Sequence, residues 1–282
     1  MNKYLSLIKF SHTIFAMPFA FIGFFLAKKN YEVEWITLLY VVFCMVFARS
    51  AAMAFNRYID RDIDTANPRT AQIREIPNGS IKANSALIFV IINSIFFIAI
   101  TYLINPLCLA LSPVALLVIL GYSYTKRFTA LCHLVLGLGL ALAPIGAYLA
   151  VSGEFTIVPL LFSAAVLFWV SGFDIIYSLQ DEEFDKEQKL HSIPVLIGKK
   201  NALNLSNLLH FLTFSALSIA GSLGGFSLYY WIGFWIFSTL LVYQHTLVKH
   251  NDLSKINLAF FTTNGIASVI FGAFVIADLL IK

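Results

Sequence analysis

Two stretches of this sequence carry oxygen-bearing side chains at helical spacing. Residues 56–64 read Asn-Arg-Tyr-Ile-Asp-Arg-Asp-Ile-Asp, which puts Asn56, Asp60 and Asp64 at i, i+4 and i+8. On an α-helix these three share one face, drifting about 40° per step. Residues 174–185 repeat the device, with Asp174, Asp181 and Asp185 at i, i+7 and i+11 and Tyr177 between them. Two such faces at the ends of two helices would make a cage of oxygens. An Asn and several Asp with no His or Cys among them suit Mg²⁺ rather than zinc. Mg²⁺ is usually bound through one or two carboxylates together with phosphate oxygens and water. A metal bridging a diphosphate would account for this much negative charge beside so many Arg and Lys residues.

The elements that hold these faces are membrane helices. The chain has 282 residues, of which 59% are apolar and only 12% charged, against about 25% charged in ordinary soluble domains. Residues 56–82 and 174–200 hold 19 of the 34 charged residues and 10 of the 15 acids. The polar chemistry is therefore confined to two segments of an otherwise apolar, all-α, polytopic membrane protein that partners a lipid bilayer. Nothing in this distribution suggests a nucleic-acid partner. Cys44, Cys108 and Cys132 lie in or beside apolar runs without CxxC spacing and read as small buried residues. Residues 5–26 lack a small-residue cleavage site and read as a first membrane helix rather than a cleaved leader.

A hydrocarbon core of about 30 Å needs about 20 apolar residues per helix. Nine runs fit: 14–26 extended backwards, 35–55, 86–104, 107–122, 134–151, 157–177, 203–223, 229–248 and 258–281. Asn105-Pro106 and Ser152-Gly153-Glu154 mark tight turns between them. With the N-terminus in the cytoplasm, 15 Lys and Arg residues fall on the cytoplasmic side, 3 fall outside, and Arg49 lies within a span. The positive-inside rule then puts both acidic segments at the cytoplasmic face of a cell (inner) membrane. Each acidic stretch ends the second helix of a four-helix group and is followed by basic residues, a Pro and a Gly. The expectation is two related four-helix halves plus one helix, forming a single domain over residues 1–282. Sites between such halves, near terminated helices, are a common membrane-protein solution.

Arg49 stands apart from the other basic residues. It lies seven residues before Asn56 on the same helical face, about 10 Å deeper at 1.5 Å per residue. A lone Arg within an apolar run is costly and calls for an anion, either an Asp of the cage or a substrate carboxylate. Acids at helix ends in a two-half architecture would also fit an ion-coupled transporter. Transporter sites, however, usually lie near the bilayer midplane.

The Asn56, Asp60, Asp64 pattern, paired with Asp174, Tyr177, Asp181 and Asp185, resembles the UbiA family of intramembrane prenyltransferases. Arg49, Arg69-Thr70 with Arg74 and Gly79, Tyr124 with Lys126-Arg127, and Ser192 with Gly198 extend the likeness over essentially the whole chain. The run Lys9-Phe-Ser-His-Thr-Ile-Phe is similar to a menaquinone-associated subgroup of the 4-hydroxybenzoate polyprenyltransferase branch. Arg57 and Phe184 stand where many members have an additional Asp, with Asp62 and Glu182 nearby.

The resemblance implies nine helices and Mg²⁺ held by Asn56, Asp60, Asp64, Asp174, Asp181 and Asp185. Asp60, Asp64, Asp181 and Asp185 would be catalytic. Substrate would be bound by Arg49, Asn56, Arg69, Arg74, Lys126, Arg127, Asp174, Tyr177 and Lys189. The reaction implied is transfer of a polyprenyl group from polyprenyl diphosphate to an aromatic acid in quinone synthesis, 4-hydroxybenzoate or similar. Prenylation of 1,4-dihydroxy-6-naphthoate for menaquinone is the alternative within the family. The haem O synthase and ether-lipid branches also belong to it. His12 and His191 are expected to be structural or interfacial.

The topology generates a first prediction. Cysteines placed at Asn78 and Glu187 should be labelled by a membrane-impermeant maleimide only when the cytoplasmic face is exposed. Labelling of either from the outside would overturn the shared cytoplasmic site.

Overall fold

The computed structural model describes residues 2–8 and 16–281. The run over residues 9–15, His12 with it, lies outside the described residues, as does Lys282. The N-terminal part of the chain forms α1 (Asn2–Leu7), α2 (Met17–Lys28), α3 (Trp35–Ile59), α4 (Arg61–Ala66), α5 (Ala83–Ile104) and α6 (Pro106–Thr125). The remainder forms α7 (Cys132–Ser152), α8 (Ile157–Ser178), α9 (Glu182–Glu187), α10 (Ile193–Leu223), α11 (Leu228–Leu247) and α12 (Asn264–Ile281). A short 3₁₀ turn, Leu179–Asp181, joins α8 to α9, and a π-helix, Leu258–Thr263, leads into α12.

Eight of the nine apolar runs overlap a helix of at least 18 residues; the first meets only the 12-residue α2, and its backward extension lies outside the described residues. Seven helices are long and apolar enough to cross a membrane by length and composition. Met17–Lys28 is apolar but shorter. Leu228–Leu247 is not among the seven, its apolar character diluted by aromatic residues and by Gln244 and His245. The protein is a polytopic, all-helical membrane protein, and seven is the count that length and composition carry. The expected turns form. Asn105 caps α6 by accepting the Cys108 N–H at 2.8 Å, and α7 ends at Gly153.

Helix boundaries depart from the apolar runs where polar residues continue the helix. α3 runs on to Ile59, carrying Asn56 into the last turn. α10 begins at Ile193, ten residues before its apolar run, and is interrupted at Gly198. There φ is 77°, a conformation that side-chain-bearing residues rarely adopt.

The two expected halves share one pairing rule. α3, which carries the first motif, packs against α5, and α8, which carries the second, packs against α10. α7 adjoins α2, α6 and α8, and α12 closes the bundle against α2 and α11. A core of Phe19, Trp169, Phe162, Phe237, Phe271 and Tyr230 fills the side where α2, α8, α11 and α12 meet. Lipid offers no hydrophobic drive for helix pairing, so close backbone approach has to supply contact. Gly23 of α2 is one such point, where a Cβ would lie 2.0 Å from the Pro144 carbonyl oxygen of α7.

Gly23→Ala therefore has to part α2 from α7, and overpacking of this kind costs about 1–3 kcal/mol. Its thermal unfolding midpoint in detergent should fall below wild type. Gly146→Ala, whose Cβ would meet nothing within 4 Å, should leave the midpoint level or raised. Equal midpoints for the two variants would refute the tight α2–α7 contact.

Candidate active site

The membrane helices that carry the motifs break at matching places. α3 stops at Ile59 and α4 starts at Arg61, leaving Asp60 between them at φ −88°, ψ 8°. α8 gives way to the 3₁₀ turn and then α9, with Asp181 at φ −101°, ψ 0°. Both central acids thus adopt the sparsely populated bridge conformation that is frequent at active sites. The break keeps the register of the first motif. The Asp60 N–H donates to the Asn56 carbonyl at 2.9 Å, and the Asp64 N–H to the Asp60 carbonyl at 2.7 Å. Asn56 Nδ2 then donates to Asp60 Oδ2 at 2.8 Å, so the i, i+4 pair meets side chain to side chain.

The segments after each motif bring cations onto the acids. Arg69 bonds both oxygens of Asp181 at 2.8 and 2.6 Å and donates to the Tyr177 hydroxyl at 3.2 Å. One guanidinium nitrogen spans both Asp181 oxygens while the other reaches Tyr177, joining the segment after the first motif to the second motif, and Asp181 draws the Arg69 pKa up against the downward pull of burial. Lys126 Nζ lies 2.7 Å from Asp60 Oδ2, and Arg127 is 3.7 Å from its other oxygen. Arg127 also donates to the Ile59 carbonyl at 2.7 Å, satisfying an acceptor that the end of α3 leaves open. Arg74 Nε sits 4.0 Å from Asp64. Burial raises the Asp64 carboxyl above its ordinary value; Arg57 and Lys126 work against that rise, and Asp60 adds to it.

Two carboxylate oxygens of the first motif are left open. Asp60 Oδ1 and Asp64 Oδ2 are buried and make no hydrogen bond. Unsatisfied carboxylate oxygens in such a place suit a divalent cation. Among the described residues, no three His, Cys, Asp or Glu side chains converge as a ready-made metal group. Lys126 and Arg69 instead lie on the acids that would receive the metal. Asp62 and Glu182 are already engaged, Asp62 with Arg127 at 3.1 Å and Glu182 with Lys186 at 2.7 Å.

Most of the expected site residues therefore meet, Asp185 beside Asp181, Lys126 and His133 among them, and Lys189 does not. Lys189 is exposed at a left-handed turn, φ 55°, beyond α9, and makes no contact with either motif among the described residues. Asp185 is half-buried on α9, one turn past Asp181. His133 went unread in the sequence, and Arg57 was read there only as a departure from the motif. His133 is 3% exposed and bonds Asp174 at 2.7 Å. Arg57 is 5% exposed and donates to Asn56 Oδ1 at 2.9 Å. His133 carries no local signal, since 41 residues separate it from Asp174. The rings of Tyr177 and Phe260, centroids 4.1 Å apart and tilted by 30°, likewise join α8 to the distant π-helix.

Arg49 lies at the edge of an apolar cavity of about 340 Å³ enclosed by α3, α5, α6 and α7, with Tyr122 beside it. Its Nε is buried without a hydrogen-bond partner, and no acid pairs with it among the described residues. The anion demanded by the sequence is thus not supplied by the cage.

A model of the UbiA prenyltransferase family matches residues 16–266. The chain belongs to the UbiA prenyltransferase family. It is 30% identical over 229 residues to a 4-hydroxybenzoate octaprenyltransferase of Tolumonas auensis, covering 81% of this chain and 79% of that one. The corresponding protein of Aeromonas hydrophila is 31% identical over 245 residues, 85% and 83% of the two chains. The apo structure of a UbiA homologue from Aeropyrum pernix superposes with a TM-score of 0.86 at 32% identity, covering 95% of this chain and 98% of that one. A UbiA homologue from Archaeoglobus fulgidus bound to DMAPP and Mg²⁺ shares the fold, with a TM-score of 0.75 at 20% identity over 99% and 100% of the chains. The paired Asp motifs of this UbiA-family chain thus sit on a prenyltransferase fold, and the transporter alternative has no support.

Proposed function

We propose that this single-domain enzyme transfers a polyprenyl group from polyprenyl diphosphate to a ring carbon of a carboxylated aromatic acid, 4-hydroxybenzoate or one like it, in quinone synthesis. It does so at the cytoplasmic face of the inner membrane, with Mg²⁺. The observation that carries the reading is the meeting of two acid motifs through Arg69, with Arg49 lining an apolar cavity and its Nε without a hydrogen-bond partner among the described residues. The names of the relatives support 4-hydroxybenzoate, and the asymmetric placement of Lys and Arg supports the cytoplasmic orientation.

Asn56, Asp60, Asp64, Asp174, Asp181 and Asp185 would hold Mg²⁺, which when bound supplies positive charge to the departing diphosphate. The chain's own residues do the rest. Lys126, Arg127, Arg69 and Arg74 are placed to exchange their carboxylates for diphosphate oxygens, and Arg can bind two such oxygens at once. The allylic C–O bond breaks, with its electron pair leaving on the diphosphate. The aromatic ring attacks the allylic carbon, a C–C bond forms, and the ring loses its proton. The surrounding helices keep water from the allylic cation, and the Tyr177 and Phe260 rings offer it aromatic faces. Arg49, deeper on the α3 face, is placed to bind the acceptor carboxylate through both oxygens.

Two predictions follow from this division of labour. Asp60→Ala and Asp181→Ala should each lower turnover by about 10²–10³, the usual effect of losing one preorganised electrostatic contact, while the protein still inserts. Chelation of divalent metal should abolish transfer, measured with labelled polyprenyl diphosphate and a panel of aromatic acids. Near-normal turnover in either variant, or in chelator, would remove the metal–diphosphate reading.

Arg49→Ala should raise the acceptor KM strongly and leave the donor KM nearly unchanged. The methyl ester of the acceptor should be a poor substrate for wild type and far less disadvantaged relative to the acid in the variant. The deciding quantity is the acid-to-ester ratio of kcat/KM in the two proteins. An unchanged ratio would mean that Arg49 does not bind the acceptor carboxylate.

A further inference from the structure

His133 lies at the start of α7 and faces neither water nor lipid, being 3% exposed. Both of its ring nitrogens are engaged. Nδ1 lies 2.7 Å from Asp174 Oδ2, and Nε2 lies 3.3 Å from the backbone nitrogen of Ile193 at the start of α10. The Ile193 N–H can only donate, so Nε2 holds the lone pair and Nδ1 holds the proton, which goes to Asp174. Its own carbonyl accepts the Ser171 hydroxyl at 3.1 Å, fixing the backbone beneath the ring to α8. The segment leading to it is tied down as well, because the His191 N–H donates to the Lys126 carbonyl at 2.7 Å. A stretch of eight residues thus sets Lys126 on the first motif and His133 on the second.

We propose that His133 is a positioning residue of this site. It takes one oxygen of Asp174 and leaves the other for the divalent cation or its water shell, and in the same ring it accepts one of the open amides of the first turn of α10. The inference rests on the metal reading given above. Asp174 sits on a membrane helix seven residues before Asp181, where a freely rotating carboxylate would be poorly solvated and poorly aimed. The imidazole Nδ1, 2.7 Å from Asp174 Oδ2, fixes the direction of that carboxylate. Asp174 Oδ1 has no other hydrogen-bond partner among the described residues. A group that hydrogen-bonds a metal-ligating side chain typically changes metal affinity by about 10–100-fold when removed.

The test uses full-length protein in detergent and Mn²⁺ binding, read by electron paramagnetic resonance, in the presence of a prenyl thiolodiphosphate that does not turn over. His133→Asn places an N–H where Nδ1 was and keeps the bond to Asp174. His133→Gln places an acceptor near Nε2 and keeps only the contact with Ile193. His133→Ala keeps neither. Mn²⁺ affinity should fall about 10–100-fold in the Ala and Gln variants and stay near wild type in the Asn variant. The Mg²⁺ concentration for half-maximal transfer should move in the same order.

Retained affinity in Gln with loss in Asn would mean that His133 serves only to brace α10, and would overturn the proposal. Wild-type affinity in both Asn and Gln would overturn it too, and this pair decides even if the Ala variant fails to fold. Absence of Mn²⁺ binding by the wild type would be a different failure, that of the metal reading itself.

Discussion

Asp60 is 3% exposed at the end of an apolar membrane helix. A carboxylate placed there must be neutralised, and much of the surrounding structure follows from that requirement. Lys126 and Arg127 arrive from the turn between α6 and α7, so that turn has to lie against the end of α3. Asn56 donates from the preceding helical turn. Asp181 is answered in the same way by Arg69, from the segment that follows the first motif. The two halves of the molecule are therefore joined at one face by the Arg69–Asp181 ion pair. The desolvation cost of such charges is large, and it is tolerable only because each acid has a cation or donor within bonding distance.

The same pairing gives the site its chemical readiness. On the proposed function, the cations on Asp60 and Asp181 are the groups placed to meet a diphosphate. A carboxylate released by a Lys or Arg becomes available to a divalent metal in the same event. Positive charge is then redistributed within the site rather than imported into an empty acidic pocket. Charges already oriented before reaction avoid reorganisation later, which is how preorganised electrostatics contribute to catalysis.

The apolar runs made the helices legible, because a 20-residue apolar stretch has few other fates in a membrane protein. The two motif faces were legible because helical spacing is a local property. The turns at Asn105 and Gly153 were readable from residue type. Less could be read where the outcome depends on packing between distant segments. His133 meets Asp174 only because α7 and α8 lie side by side. The breaks at Asp60 and Asp181 leave no mark in hydropathy, since the motif residues continue a helical register across them. Lys189 looked equivalent to the other basic residues, and the left-handed turn that carries it leaves its side chain exposed. Arg49 was legible as a residue in need of an anion, and the apolar cavity beside it came only with the fold.

The π-helix at Leu258–Thr263 carries a consequence for the last membrane helix. A π-turn holds one residue more than an α-turn, and one residue corresponds to about 100° of rotation. The orientation of α12 is therefore set by that single extra residue. Ala267, Phe271 and Val275 enter the core, and Asp278 accepts the Ser227 and Tyr230 amides at the start of α11. Asn264 holds the turn open by bonding the Ala259 and Phe260 carbonyls while it accepts the Trp169 indole N–H. A one-residue deletion within this turn would leave α12 equally apolar and equally long. It would point a different stripe of side chains at the bundle and swing Asp278 away from the amides it caps. For this helix, sequence length acts as an angular coordinate, and hydropathy alone would not register the change.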